Sequence, residues 1–491
     1  MISMPVSILR ACAAPILGAL LSLAGCSAVN DPINQTLSET DTQLDTGLDA
    51  RVSNGADDGI YIGLAFSGGG MRASAFGHGM LEELRATAQQ ANGRNGLLEH
   101  VELVSGVSGG SVTAAFYGLY GPNGLNRYRE QYLIQNAEKY MANSPLNPLT
   151  IVRGLSGGAN SRNTFARFLD ESIFKNATFA DMAARGHAVT WINAADIANN
   201  TPFLFSPETF DALCSDLGAL PVSEAVAASA AFPLVFSPIV LEAHTNACNY
   251  SEPDWLTAAR HNPEASSAMR AYGKTLESYR DPKKVKFVKL LDGGITDNFG
   301  TTGLTMARAK SKTPHGPLSP QEAVKLRRML FLVANAGVQS DYGWTQKKKG
   351  PGGGQLIMSI AKSSMGSATR VGYDVMRLTL DDWVTDLIEY RCGLSLSQVR
   401  ALRGSTAGWD CQDVKLFVGQ VSFEGVDADQ RDALNAIPTR LRLKTEEVDA
   451  VIQAGRDATR SNPELNGFLR SIDGFADPLG RIAGARRITP Q

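Results

Sequence analysis

Twice in its first 120 residues the chain runs through a short apolar segment into a cluster of glycines and out into a helical pattern. Ile60-Tyr61-Ile62-Gly63-Leu64-Ala65-Phe66 is broken by Ser67-Gly68-Gly69-Gly70, and Met71 to Ala86 follows with helical periodicity. Val101 to Ser105 enters Gly106-Val107-Ser108-Gly109-Gly110, and Ser111 to Tyr120 continues as a helix. An uninterrupted apolar run bounded by turn residues predicts a strand buried on both faces, and its alternation with helices predicts an α/β fold with a mostly parallel sheet. Further strands are expected at Ala188 to Ala194, Val285 to Leu291 and Met329 to Ala334, and amphipathic helix over most of Arg431 to Ile472. No internal repeat is evident.

The 491 residues divide unevenly. Ala11 to Leu23 is uncharged, interrupted by Pro15, and has the length of a signal-peptide core rather than a bilayer span. It ends in Leu23-Ala24-Gly25-Cys26, which resembles the bacterial lipobox. That resemblance implies cleavage after residue 25, acylation of Cys26 and, with Ser27 next, sorting to the outer membrane of a bacterial envelope. Residues 26–58 are polar and aperiodic and read as a flexible tether with a root-mean-square span of about 30 Å. The folded body is expected over 59–472, with polar insertions near 242–284 and 343–354 and a tail over 473–491. The second insertion carries Lys347-Lys348-Lys349, and one insertion or the other is expected to lie near the site entrance against a lipid surface.

A net charge of −2 gives no support for a nucleic-acid partner. Once Cys12 leaves with the leader and Cys26 carries lipid, Cys214, Cys248, Cys392 and Cys411 remain. Four cysteines in an exported chain fit two disulfides in one of three pairings, and sequence proximity favours Cys214–Cys248 with Cys392–Cys411. No Cys/His spacing points to a zinc site, and no cofactor is expected.

Gly106-x-Ser108-x-Gly110 between a strand and a helix is a nucleophile-elbow pattern. A serine hydroxyl is held on a sharp turn, with small neighbours that permit the strained backbone and with helix amides close by. Gly68-Gly69-Gly70, ending the first strand, supplies backbone N–H groups that can converge on a developing oxyanion, and Arg72 either holds that loop or adds positive potential. Asp292-Gly293-Gly294 ends a later strand. An ordinary aspartate is a weak base for a serine, so Asp292 would need a close hydrogen bond and partial desolvation.

Glycine loop with Arg72, then G-x-S-x-G, then D-G-G, in that order, resembles the patatin-like phospholipase family. Ala228-Ser229-Ala230-Ala231-Phe232-Pro233, Asn298, Ile437-Pro438-Thr439 and Ala454-Gly455-Arg456 extend the resemblance over about Ile60 to Leu469. It implies a three-layer α/β/α fold and a lipid acyl hydrolase of the phospholipase A or lysophospholipase type. Ser108 would be the nucleophile, Asp292 the base, and Gly68, Gly69, Gly70 and Arg72 the oxyanion site, with no metal.

Three rival readings remain. A Ser–Asp–His esterase would take its third member from His315, in the loop Lys312-Thr313-Pro314-His315-Gly316-Pro317. A non-catalytic lipoprotein would bind lipid or a partner on the same scaffold. Gly68-x-Gly70-x-x-Ala73 also fits a dinucleotide fingerprint, but the second strand ends Val104-Ser105-Gly106 without the acid that a ribose needs. Oligomeric state, the lipid cut and the acyl position leave no mark in the sequence.

Overall fold

The computed structural model describes residues 29–38, 42–44, 59–87, 95–142, 157–263, 265–337, 345–346, 348, 350 and 352–472. The leader, Cys26 and the tail 473–491 lie outside the described residues, as do Lys347 and Lys349.

Eight strands form one sheet: β1 Ile60–Phe66, β2 Val101–Val107, β3 Val189–Asp196, β4 Thr201–Leu204, β5 Ile239–Glu242, β6 Phe287–Asp292, β7 Arg328–Asn335 and β8 Lys415–Ser422. Their order is β5-β6-β3-β2-β1-β7-β8, with β4 paired to β3. The block β3-β2-β1-β7-β8 is parallel, whereas β4 and β6 run antiparallel to β3, and β5 antiparallel to β6. β1 shows why the centre is apolar without a break. Ile60, Ile62, Leu64 and Phe66 pack into the core on one face, and Tyr61 and Ala65 into a second core on the other. Successive strand side chains alternate, so a strand covered on both sides must be apolar at nearly every position.

Seven helices position the site or frame it: α1 Gly70–Ala86, α2 Gly109–Tyr128, α3 Val222–Ser229, α4 Thr302–Lys310, α5 Gly353–Cys392, α6 Thr445–Arg460 and α7 Pro463–Ser471. Side chains of α1, α2, α3, α6 and α7 fill the first core; Leu304 of α4 and Met376, Leu380, Trp383 and Leu387 of α5 fill the second. The result is a mostly parallel sheet between two helical layers, the three-layer α/β/α arrangement expected. α1 and α6 cross at bare backbone. A Cβ at Gly79 would lie 2.1 Å from the Ile452 carbonyl oxygen, and one at Gly455 2.3 Å from that of Phe76. That contact accounts for the Ala454-Gly455 pair in the sequence.

Two expectations need correction. The tether is not free along its whole length. Ile33 donates its amide to the Val240 carbonyl, Asn30 Nδ2 to Pro238 and Asn34 Nδ2 to Glu242, while Leu37 is buried. This strap covers the open edge of β5, whose unpaired backbone groups would otherwise face solvent. The polar composition that suggested a coil supplies the amides that make these bonds. The insertion at 242–284 is also more ordered than its composition suggested, since it holds helices over Asp254–His261 and Ser267–Tyr279. Both disulfides follow the proximity pairing, Cys214–Cys248 and Cys392–Cys411. Sequence reading did not find β4, β5, β8 or the 40-residue α5.

Candidate active site

Ser108 stands between β2 and α2 with φ 52° and ψ −123°, a left-handed conformation that a serine adopts only where its surroundings impose it. The two flanking glycines are required by space. A Cβ at Gly106 would meet the Gly110 oxygen at 2.6 Å, and a Cβ at Gly110 would meet the Phe66 oxygen at 2.3 Å. The turn is therefore wedged against the end of β1. Its amide is held from the other side: Ser108 N donates to Ser229 Oγ at 2.8 Å, and that hydroxyl donates to the Asn193 carbonyl at 2.5 Å. Asn193 Nδ2 in turn bonds Ser105 Oγ and the Gly106 carbonyl. Ser229 and Asn193 were not foreseen as site residues. The Ala-Ser-Ala-Ala run marked the first without suggesting its task, and nothing local marks an asparagine in the middle of an apolar strand.

Asp292 reaches Ser108 by register. Val107 pairs with Asn193 across the parallel β2/β3 ladder, and Ala194 pairs with Asp292 across the antiparallel β3/β6 ladder. The two residues thus lie at one level of the sheet, across β3. Asp292 does not end a strand parallel to that of Ser108, as a mostly parallel sheet would suggest, because β6 runs the other way. Asp292 is buried, its amide donates to the Ala231 carbonyl, and its Oδ1 accepts from Gly294 N at 2.9 Å. Burial pushes its pKa up to about 6, against the pull of the Gly294 amide and of a hydrogen bond with the Ser108 side chain.

Gly68 comes closest to the serine: a Cβ there would lie 3.4 Å from Ser108 Cβ. Its amide is engaged by Asn298, through both the backbone oxygen and Oδ1 at 3.2 Å. Gly69 and Gly70 have φ of 148° and 62°, and no acceptor for their amides occurs among the described residues. These two are therefore the donors of the loop open to an incoming oxygen. Arg72 does not face the serine as a free charge. Its Nε donates to the Ala336 carbonyl, one terminal nitrogen to the Ile437 carbonyl at 2.6 Å and the other to Thr439 Oγ1 at 2.9 Å. Burial lowers its pKa to about 10. Of the two tasks the sequence left open, the geometry fits holding the loop. The same segment caps the glycines from above, where Met71 N donates to the Arg440 carbonyl.

His315 is remote. Its Nδ1 is 2.7 Å from the Leu318 carbonyl oxygen and its ring packs on Tyr390 near the end of α5, whereas Met365 of the same helix touches Gly294. Twenty-five helical residues separate these two contacts, about 37 Å along the axis. No cluster of metal-binding side chains occurs among the described residues.

A serine on a strained strand-to-helix turn, a buried carboxylate beside it and open amides opposite define the geometry of a serine acyl hydrolase. Residues 64–305 match the family model described as patatin-like phospholipase. No curated protein matches. Among solved structures, human GIVD cytosolic phospholipase A2 aligns at 12% identity with a TM-score of 0.37, covering 85% of this chain and 62% of that one. The chain therefore spans less than two thirds of that protein's length.

Proposed function

We propose that this protein hydrolyses acyl esters of lipids through a Ser108–Asp292 dyad and an acyl-enzyme. The observation that carries the reading is the pairing of an elbow serine with a buried, hydrogen-bonded carboxylate inside a patatin-like phospholipase domain. Asp292 takes the proton as Ser108 Oγ attacks the ester carbonyl, and the Gly69 and Gly70 amides receive the oxyanion. The proton then passes from Asp292 to the departing alcohol oxygen as the acyl–oxygen bond breaks. Water attacks the acyl-serine, with Asp292 again as base; as the acyl–Oγ bond breaks the proton passes from Asp292 to Ser108 Oγ, and the fatty acid leaves. A carboxylate raised to about 6 is a stronger base than an ordinary aspartate and is still ionised at neutral pH. Within this class the reading is of an enzyme of the phospholipase A or lysophospholipase type. Anchoring through an acylated Cys26 to a bacterial envelope membrane, most simply the outer one, belongs to the same proposal and rests on the lipobox resemblance.

Ser108→Ala and Asp292→Asn should each abolish nearly all ester turnover, and the double variant should be little worse, because groups acting as one unit give non-additive losses. A fluorophosphonate should label Ser108 in the unmodified chain. His315→Ala should retain most activity; a loss in folded His315→Ala as large as that of Ser108→Ala would replace the dyad by a triad. An unmodified chain that turns over no acyl ester would leave the non-catalytic lipoprotein in its place.

A further inference from the structure

Nine large apolar side chains are exposed among the described residues, and five of them stand on α5: Leu356, Ile360, Val371, Val375 and Leu378, each between 48% and 64% accessible. At roughly 100° per residue these five fall within about 100° of one another around the helix axis. The buried residues Met376, Leu380, Trp383 and Leu387 centre on the opposite side and hold the C-terminal half of α5 against the sheet. A surface helix ordinarily turns polar residues away from its packed face. Here the outward arc carries apolar side chains at both ends of a stretch of about 33 Å, Leu356 and Ile360 at one and Val371, Val375 and Leu378 at the other, with Ser364 and Ser367 between them.

Between these two groups α5 lies against the segment that follows Asp292. Ser364 Oγ donates to the Ile295 carbonyl at 2.9 Å, Met365 packs on Gly294, and Gly372 passes beside Thr301 and Asp297. The sequence leading into it is cationic. From 343 to 373 the sequence holds Lys347, Lys348, Lys349, Lys362 and Arg370 and no acidic residue, in a chain whose net charge is −2. Arg370 and Arg377 flank the stripe on one side, and the first acid on the helix is Asp374, at the stripe's edge. No helix among the described residues is long and apolar enough to cross a membrane.

We propose that the outward face of α5 docks on an anionic lipid surface, lying in the plane of that surface with the catalytic turn beneath it. Apolar side chains would enter the acyl boundary while Arg370 and Arg377 meet head-group phosphates. This rests on the lipid acyl hydrolase reading, which supplies the reason for a membrane-facing patch at this place. A second copy of the chain would also cover an apolar stripe, but it would repeat the same cationic flank against itself across a two-fold axis.

The test uses the full chain carrying Ser108→Ala, so that binding is read without turnover. Val371→Cys is labelled with an environment-sensitive fluorophore, and Ser405→Cys, on an exposed turn beyond α5, serves as control. With phosphatidylglycerol-containing vesicles the label at 371 should brighten and be quenched by nitroxide lipids, and the label at 405 should not. An equal response at both positions, or none at 371, overturns the proposal. Brightening at 371 that follows protein concentration without vesicles, with a dimer by light scattering, would assign the face to a second copy and overturn it too. In the otherwise unmodified enzyme, Leu356→Ser, Ile360→Ser, Val371→Ser and Leu378→Ser together should lower hydrolysis of anionic vesicles about tenfold while a soluble short-chain ester changes less than about twofold. Equal losses on both substrates would again overturn it. If the unmodified chain hydrolyses no ester yet the label at 371 enters vesicles, the catalytic reading fails and the docking face stands.

Discussion

Asp292 is a carboxylate cut off from water, and its proton leaves only at a pKa of about 6, compared with an ordinary 3.8. If it acts as the base, kcat/KM for a soluble ester should rise with pH through about 6 and level off above it, since only the ionised form accepts the serine proton. A pH–rate profile with its acidic limb near 4 would show that Asp292 is not the group titrating. The same shift has a consequence for stability. A folded-state pKa above the unfolded value means that the native protein binds the proton more tightly, so the contribution is favourable below 3.8 and is lost as pH rises through 6. Asp292→Asn should then stabilise the fold at pH 7 by about 3 kcal/mol, a gain that shrinks as pH falls toward 4. Denaturant melts of the two proteins at both pH values check it. Losing activity while gaining stability is the expected pattern for a charge kept in a dry site for its chemistry.

At the scale of elements, the glycine loop is braced from a distance of 365 residues in sequence. Arg72, in the first turn of α1, bonds the carbonyl of Ile437 together with the Ala336 carbonyl and the Thr439 hydroxyl. An ammonium group lacks the planar fork that reaches three such acceptors. Arg72→Lys should cost about 3 kcal/mol of stability, from the strained or unpaired acceptors left in a buried place. It should also lower kcat more than it raises KM for a soluble ester, and slow fluorophosphonate labelling of Ser108. A variant with a lower melting temperature but unchanged kcat well below it would make Arg72 a structural residue alone.

On the scale of the whole molecule, the chain before β1 is strapped to the same edge of the sheet that carries the site. Asn30 bonds the carbonyls of Ser237 and Pro238, and β5 begins at Ile239 opposite Leu290, so Ser237 stands at the level of Asp292. Cys26 precedes Asn30 by four residues, so a lipid on Cys26, as proposed above, would be joined to this corner by at most about 14 Å of chain. A short link would hold the catalytic edge, and with it the outward face of α5, close to the membrane. Cys26→Ala should move the protein from the membrane fraction to the soluble one. Full retention of that variant would mean that the anchor lies elsewhere.

Local sequence was enough for the parts of this protein that depend on local backbone constraint. Glycines at 69, 70, 106 and 110 stand where a Cβ would strike backbone or where φ is positive, so these turns, the strands before them and the helices after them were all legible in a single chain. The apolar runs of β1 and β2 likewise declared a sheet covered on both sides. What remained hidden depends on partners distant in sequence. The antiparallel entry of β6 is set by its pairing with β3 rather than by anything in Phe287–Asp292, and it is this register that puts Asp292 level with Ser108. Ser229 and Asn193 acquire their tasks only when three separated segments meet at one hydrogen-bond chain. The strap over 29–38 is polar because its asparagines satisfy an open strand edge, and polar composition by itself cannot distinguish that from a solvated coil. The outward stripe of α5 is the reverse case: its apolar residues were always in the sequence, but only the packing of Met376, Leu380, Trp383 and Leu387 on the sheet decides which face of the helix is left uncovered.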